Sequence, residues 1–262
     1  MANTNMQRLC GLMRKAVQDY EMIAPGDRIL VGVSGGKDSM ALSVGLLMLK
    51  EYIGFDFTVV PVTLDPQFGH VPMDTAPLQE LFDRYGAEYH VRTTDIGPVV
   101  FDYRKEKNPC SLCAKLRRGA LHTAAQELGC NKVALGHHLD DAIETFYMNL
   151  WREGRLGCFS PVTYLSRKKL TMIRPLLLAT EAEVSRAVRL AGLPVVKSRC
   201  PADGVTVRQE TKEFVSGMVR QDPAFRQKML GALQGADLDG WKPLHTGRVR
   251  SLGKEKGNGT EF

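Results

Sequence analysis

Short runs rich in β-branched residues alternate with helical segments through most of this 262-residue chain. "RILVGV" reads as a buried strand and "DSMALSVGLLMLKEY" as the apolar helix after it. "FDFTVVPVTL", a helix around 76–85 and the short strand "EYHVRT" repeat the pattern. A helix over about 111–128, stopped at Gly129, leads into "KVALG" and an apolar helix ending near Trp151. "LTMIRPL" is followed by "TEAEVSRAVRLAG", where Thr180 and Glu183 have capping-box spacing and Gly192 supplies the stop. Strand–helix repeats of this kind satisfy their backbone groups as a parallel sheet covered by helices, so the expected class is α/β, parallel-sheet and Rossmann-like.

The pattern divides the chain into an amphipathic N-terminal helix (1–24), an α/β unit with an inserted C-x-x-C (25–200), C-terminal helices (201–236) and a basic, disordered tail (237–262). The first helix carries an apolar stripe of Met6, Leu9, Leu12, Met13, Ala16 and Val17. No apolar run approaches the ~20 residues of a membrane span, and no secretory leader or lipid anchor is evident. The expectation is a cytoplasmic protein with no membrane contact. Its net charge of +6 is modest, but two basic runs stand out. Arg104, Lys105, Lys107, Lys115, Arg117 and Arg118 face the single acid Glu106, and Lys242, Arg248, Arg250, Lys254 and Lys256 line the Gly-rich tail. Such runs attract polyanions such as RNA, or are simply solvated faces.

"VGVSGGKDSMAL" (31–42) takes a strand through glycines into a helix, which aims backbone N–H groups and the positive helix end at an anion. Gly35 and Gly36 allow close approach, Ser34 and Ser39 offer hydroxyls, and Lys37 adds a positive charge. Neither the dinucleotide fingerprint nor the triphosphate loop G-x-x-x-x-G-K-[ST] is satisfied, because Asp38 separates Lys37 from Ser39. The bland alternative is a strand-to-helix turn capped by Asp38. "ALGHHLDDAIET" (134–145) places two histidines and two aspartates at another strand end, where open α/β sheets bind ligands. Its bland alternative is a helix start, with Asp141 and Glu144 at capping-box spacing.

Six cysteines in a reducing compartment suggest metal or redox chemistry rather than disulfides. In "CSLCAKLRRGAL", Cys110 and Cys113 fall at a helix N-terminus beside basic residues, which predicts thiolate character. Cys200, in "KSRCPADG", is the best remote partner. Three thiolates suit an iron–sulfur cluster with one iron free of protein; the same residues allow zinc with a fourth ligand such as His137. Cys10 and Cys130 read as core thiols, and Cys158 stays unassigned.

S-G-G-K-D-S after a strand resembles the pyrophosphate loop of the ATP pyrophosphatase superfamily, whose members cleave ATP between the α and β phosphates. "SGGKDS", "CSLCAKLRRG", "LGHHLDDAIET", "IRPL" and a late cysteine, in this order, resemble the tRNA 2-thiocytidine synthetase family over roughly residues 6–233. Many of those relatives surround the late cysteine with a second C-x-x-C, whereas here Cys200 is followed by Pro201-Ala202-Asp203. The resemblance implies an ATP-dependent tRNA sulfurtransferase that forms AMP and pyrophosphate. It implies catalytic roles for Lys37 and Asp38, and a nucleotide site of Ser34, Gly35, Gly36, Lys37, Asp38, Ser39, Leu64, Gly136 and Asp141. It further implies Mg2+, a [4Fe-4S] cluster on Cys110, Cys113 and Cys200, and Arg117 and Arg118 on RNA or the adenylated intermediate. The implied partners are the tRNA anticodon loop and a sulfur donor such as a cysteine desulfurase, and a homodimer is compatible with it. Two other readings use the same residues: the loop chemistry with another RNA base or small-molecule acceptor, and a non-catalytic nucleotide- and metal-binding sensor.

Overall fold

The structure, a computed structural model, describes residues 4–104, 109–196, 199–201, 207–236 and 238–245. Helix α1 (Thr4–Asp19) precedes β1 (Arg28–Gly32), α2 (Lys37–Leu49), β2 (Thr58–Asp65), α3 (Ala76–Arg84) and β3 (His90–Thr93). Then come α4 (Pro109–Glu127), β4 (Lys132–Ala134), α5 (Leu139–Glu153), β5 (Val162–Leu165) and β6 (Leu170–Ile173). Helices α6 (Glu181–Leu190), α7 (Val207–Gln221) and α8 (Phe225–Gly235) follow. The six strands form one sheet in the order β3, β2, β1, β4, β6, β5, parallel throughout except at the edge strand β5.

Alternation along the central strands explains why both faces are covered. Ile29 and Val31 of β1 pack into the larger core with α1, α2 and α6, while Leu30 points to the opposite face with Val60, Val62, Ala124 and Val133. Helix α2 is buried nearly all round because α1 and α6 both lie against it. Pro61 sits in β2 without breaking the ladder. The carbonyl of Val62 accepts from Val33 N–H on the β1 side, and β3 pairs only from Val62 onward, so the absent N–H of Pro61 falls where no ladder bond is needed.

At the amino ends of the strands, Lys132 Nζ lies 2.8 Å from Asp27 Oδ2, and Asp27 also accepts from Asn131 and from the Ala24 amide. This buried polar knot ties β1 to β4 at the end away from the ligand side. The tail expected over 237–262 does not begin at 237. Trp241 is fully buried, its Nε1 donates to the Phe159 carbonyl at 2.8 Å, and its own carbonyl accepts from Tyr20 Oη at 2.9 Å. Residues 246–262, with four of the tail's basic side chains, and Lys105 and Lys107 lie outside the described residues. Among the described residues no helix is long and apolar enough to cross a membrane.

Candidate nucleotide and cysteine site

Strands β1 and β4 are neighbours, and the chain leaves β1 toward β2 on one side and β4 toward β6 on the other. Their carboxyl ends therefore open a crevice at the point where the winding reverses. The two polar loops of the sequence, 33–38 and 135–140, meet there. In the first, the Ser34 amide donates to Ser39 Oγ at 3.1 Å, Ser39 Oγ donates to the Gly36 carbonyl at 2.8 Å, and the Gly36 amide donates to Ser34 Oγ at 3.3 Å. The serines fold the loop back on itself and leave the start of α2 facing the crevice. Gly36 is the N-cap and receives no side-chain cap bond, so Asp38 does not cap the helix.

Gly35 has φ of 78°, and a Cβ there would stand 2.9 Å from Val196 Cβ. The Val196 amide donates to the Gly35 carbonyl at 3.0 Å, which lays Val196, four residues before Cys200, directly against the loop. Gly136 does the same for the second loop: a Cβ would come within 3.3 Å of the Asp38 backbone. Both positions depend on a missing side chain.

Helix α5 starts differently from the sequence expectation. His138 is its N-cap; the Asp141 amide donates to His138 Nδ1 at 3.3 Å and the His138 amide donates to Asp141 Oδ2 at 2.9 Å. The capping box is thus His138 with Asp141, not Asp141 with Glu144. With Nδ1 accepting from an amide, a neutral His138 ring carries its proton on Nε2, the nitrogen 3.9 Å from Asp38 Oδ1. The adjacent Asp140 is buried and structural, bound to Arg226 Nε at 2.6 Å and to the Glu181 amide at 2.7 Å. Asp141 stays at the crevice.

Lys37 Nζ lies 3.0 Å from both carboxylate oxygens of Asp38 and 3.2 Å from Glu181 Oε1. Lys212 Nζ shares that same Glu181 oxygen at 2.9 Å. Burial works against the charged form of Lys37, but Asp38 and Glu181 outweigh it and raise its pKa. Burial likewise opposes the Glu181 carboxylate, yet Lys212 and Lys37 pull its pKa down to about 2. Glu181 was not among the expected site residues. Its only sequence signal was an acid in the first turn of a capped helix, which reads as ordinary dipole matching.

Leu64 is half-buried at the carboxyl end of β2. Next to it, buried Asp65 accepts from the Gln67 and Met73 amides, both at 3.0 Å, and so shapes the loop that carries Phe68 and Met73 to the site. Arg117 stacks its guanidinium over Phe68, 5.4 Å from the ring centre, while Arg118 on the next position of α4 is exposed. Cys113 and Cys200 join Phe68, Ile96 and Val100 in one apolar cluster, and Cys110 is exposed at the start of α4. Arg199 holds this end of the chain by donating to the Pro72 carbonyl at 3.3 Å.

The thiolate expectation fails at Cys113. Burial raises its pKa; Arg117 opposes this, Cys200 and Cys110 add to it, and the net shift is upward. Cys200 and Cys110 both lie near enough to Cys113 to disfavour its thiolate. Among the described residues, however, no three His, Cys, Asp or Glu side chains converge as a finished metal site. His137, the expected fourth zinc ligand, instead lies against the Phe159 ring at 4.9 Å. An all-sulfur donor set beside apolar side chains is of the kind that suits an iron–sulfur cluster rather than a hard cation.

A family model described as the PP-loop domain matches residues 11–209, which defines the class: a PP-loop nucleotide-binding protein. A tRNA-cytidine(32) 2-sulfurtransferase of Pelobacter propionicus is 39% identical over 87% of this chain and 85% of its own length. The corresponding protein of Geobacter sulfurreducens is 35% identical over 88% and 90%. The chain belongs to the tRNA-cytidine(32) 2-sulfurtransferase family. In fold it is similar to the U34-tRNA thiolase NcsA from Methanococcus maripaludis, solved with its [4Fe-4S] cluster. The TM-score is 0.70 at 22% identity, covering 85% of this chain and 75% of that one.

Proposed function

We infer that this protein is an ATP-dependent tRNA thiolase that converts cytidine 32 of the anticodon loop to 2-thiocytidine. The observation that supports the reading, beside family membership, is the hydrogen bond from the Val196 amide to the Gly35 carbonyl, which sets Val196, four residues before Cys200, against the pyrophosphate loop. Nucleotide activation and sulfur delivery have to occur on the same base, so the reading requires the loop and the cysteines to act at one place.

The carbonyl oxygen at C2 of cytidine is a poor leaving group at neutral pH. Its attack on the α-phosphate of ATP forms a P–O bond, breaks the bond to the β-phosphate and releases pyrophosphate. A sulfur nucleophile then adds at C2, the C2–O bond breaks, and AMP departs with the oxygen. The backbone N–H groups at the start of α2, with Lys37, stabilise charge developing on pyrophosphate. Asp38 and Asp141 would hold Mg2+, which neutralises phosphate charge. His138 Nε2 lies 3.9 Å from Asp38 Oδ1 and borders the same end of the loop. Cys110, Cys113 and Cys200 would hold the [4Fe-4S] cluster, which supplies an iron without a protein ligand for binding sulfur. Gly35, Gly36, Ser34 and Ser39 shape the loop, and Leu64 and Gly136 border the nucleotide. Arg117 and Arg118 meet RNA phosphate or the adenylated base, and the sulfur comes from a donor such as a cysteine desulfurase.

The test is AMP and pyrophosphate formation by anaerobically purified protein with ATP, Mg2+ and unmodified tRNA. Asp38→Asn is expected to reduce it at least about 100-fold, the scale of removing one preorganised electrostatic partner. Hydrolysis to ADP and phosphate, or turnover indifferent to Asp38, would contradict the reading.

A further inference from the structure

We propose that Glu181 is a positioning residue that holds the Lys37 ammonium over the pyrophosphate loop until a polyphosphate displaces it, and that Lys212 sets how tightly it holds. The inference rests on the reading of residues 34–39 as the nucleotide loop. A single oxygen of Glu181 meets both ammonium groups, Lys37 Nζ at 3.2 Å and Lys212 Nζ at 2.9 Å. The carboxylate is therefore divided between α2, which carries the loop, and α7, which belongs to the C-terminal helices. Its backbone is fixed independently. The Glu181 amide donates to Asp140 Oδ2, and Asp140 Oδ1 accepts from Arg226 on α8. Glu181 thus stays in place whichever lysine it serves.

An ammonium has three N–H donors, and those of Lys37 are directed at Asp38 and Glu181. A polyphosphate that recruits Lys37 competes with Glu181, as with Asp38, for those donors, so the strength of the Glu181 contact counts against nucleotide affinity. Lys212 makes the exchange feasible, because it keeps Glu181 paired after Lys37 has moved and no carboxylate is stranded in a partly buried site. Without Lys212, the whole charge of Glu181 would act on Lys37. The C-terminal helices then tune the nucleotide loop through one shared oxygen, and whatever engages Lys212 changes the grip on Lys37.

The experiment is titration calorimetry of pyrophosphate and, separately, ATP into the full-length protein. Glu181→Gln should bind pyrophosphate roughly fivefold more tightly than wild type, the scale of a partly exposed ion pair, and Lys212→Met should bind it more weakly by a similar factor. The double variant decides. If Lys212 acts through Glu181, the double variant matches Glu181→Gln, because Lys212 has nothing left to neutralise. Additive effects, which place the double variant midway, mean that both charges act only through the general field and overturn the proposal. Weaker binding by both single variants means a merely structural role and overturns it too. Glu181→Asp withdraws the carboxylate from Lys37 while keeping the acid at the start of α6, so it should also bind more tightly, and its melting temperature checks that the fold is intact. A wild type that binds neither ligand overturns both this proposal and the nucleotide reading, whereas a binding wild type with additive variants overturns the proposal alone.

Discussion

Gly35→Ala and Gly36→Ala differ by one position in the same loop and should behave very differently. Gly35 has φ of 78°, in the left-handed region, where an alanine costs about 1–2 kcal/mol. Its Cβ would stand 2.9 Å from Val196 Cβ and 3.0 Å from Met73 Cε. The methionine end can swing aside. Val196 cannot do so easily, because its amide is bonded to the Gly35 carbonyl; losing that bond adds about 1 kcal/mol. The expected destabilisation is about 2–3 kcal/mol. Gly36 has φ of −75°, and the nearest atom to its Cβ would be Ser34 Oγ at 3.4 Å. Only the mild preference for glycine over alanine at an N-cap remains, below about 1 kcal/mol. Urea denaturation of both variants, with the slope checked against wild type, measures the difference. AMP formation by Gly35→Ala should also fall roughly 100-fold, because the loop is displaced relative to the crevice. Equal stability of the two variants within about 0.5 kcal/mol would refute the close packing of Val196 on Gly35.

Three further outcomes follow from particular contacts. Lys132→Met leaves Asp27 buried without its cation, which should cost about 3 kcal/mol in denaturation while leaving ATP affinity unchanged, since the pair lies at the far end of the strands. In metal-free protein, exposed Cys110 should be alkylated well before Cys113, whose pKa burial raises. Cys158, pushed up to about 12 by burial, should be among the last, and peptide mass spectrometry reads the order. The Glu181 carboxyl titrates near 4.5 when unfolded and about 2 when folded, against burial and through Lys212 and Lys37. Its contribution is therefore present above about pH 4.5 and lost as pH falls toward 2, and Glu181→Gln should flatten that part of an acid-stability profile.

The α/β repeat is legible because β1 and β2 are continuous apolar runs, as strands buried on both faces require, and α1 and α6 carry a strong 3.6-residue apolar period. The Thr180–Glu183 capping box of α6 forms with both of its bonds. The start of α5 is hidden in the sequence because histidine is not a usual capping residue whereas the aspartates after it are. Strand β5 left no signal: it has four residues, none fully buried, and turns into β6 through Lys169 at φ 50° rather than through glycine. The pyrophosphate loop was legible as a contiguous motif. Glu181 was not, because nothing local connects the start of α6 to Lys37; only the parallel sheet, by setting α2 and α6 side by side, brings them together. The thiolate expectation at Cys113 failed for the same kind of reason. Helix position can be read from sequence, but the apolar lining from Phe68, Ile96 and Val100 that raises the thiol cannot.

The most direct test of the central claim is mass spectrometry of tRNA nucleosides from cells lacking this protein, with and without the gene restored. The account predicts that 2-thiocytidine at position 32 disappears on deletion and returns with the wild-type chain but not with Asp38→Asn or Cys113→Ala. Unchanged 2-thiocytidine in the deletion strain would contradict it.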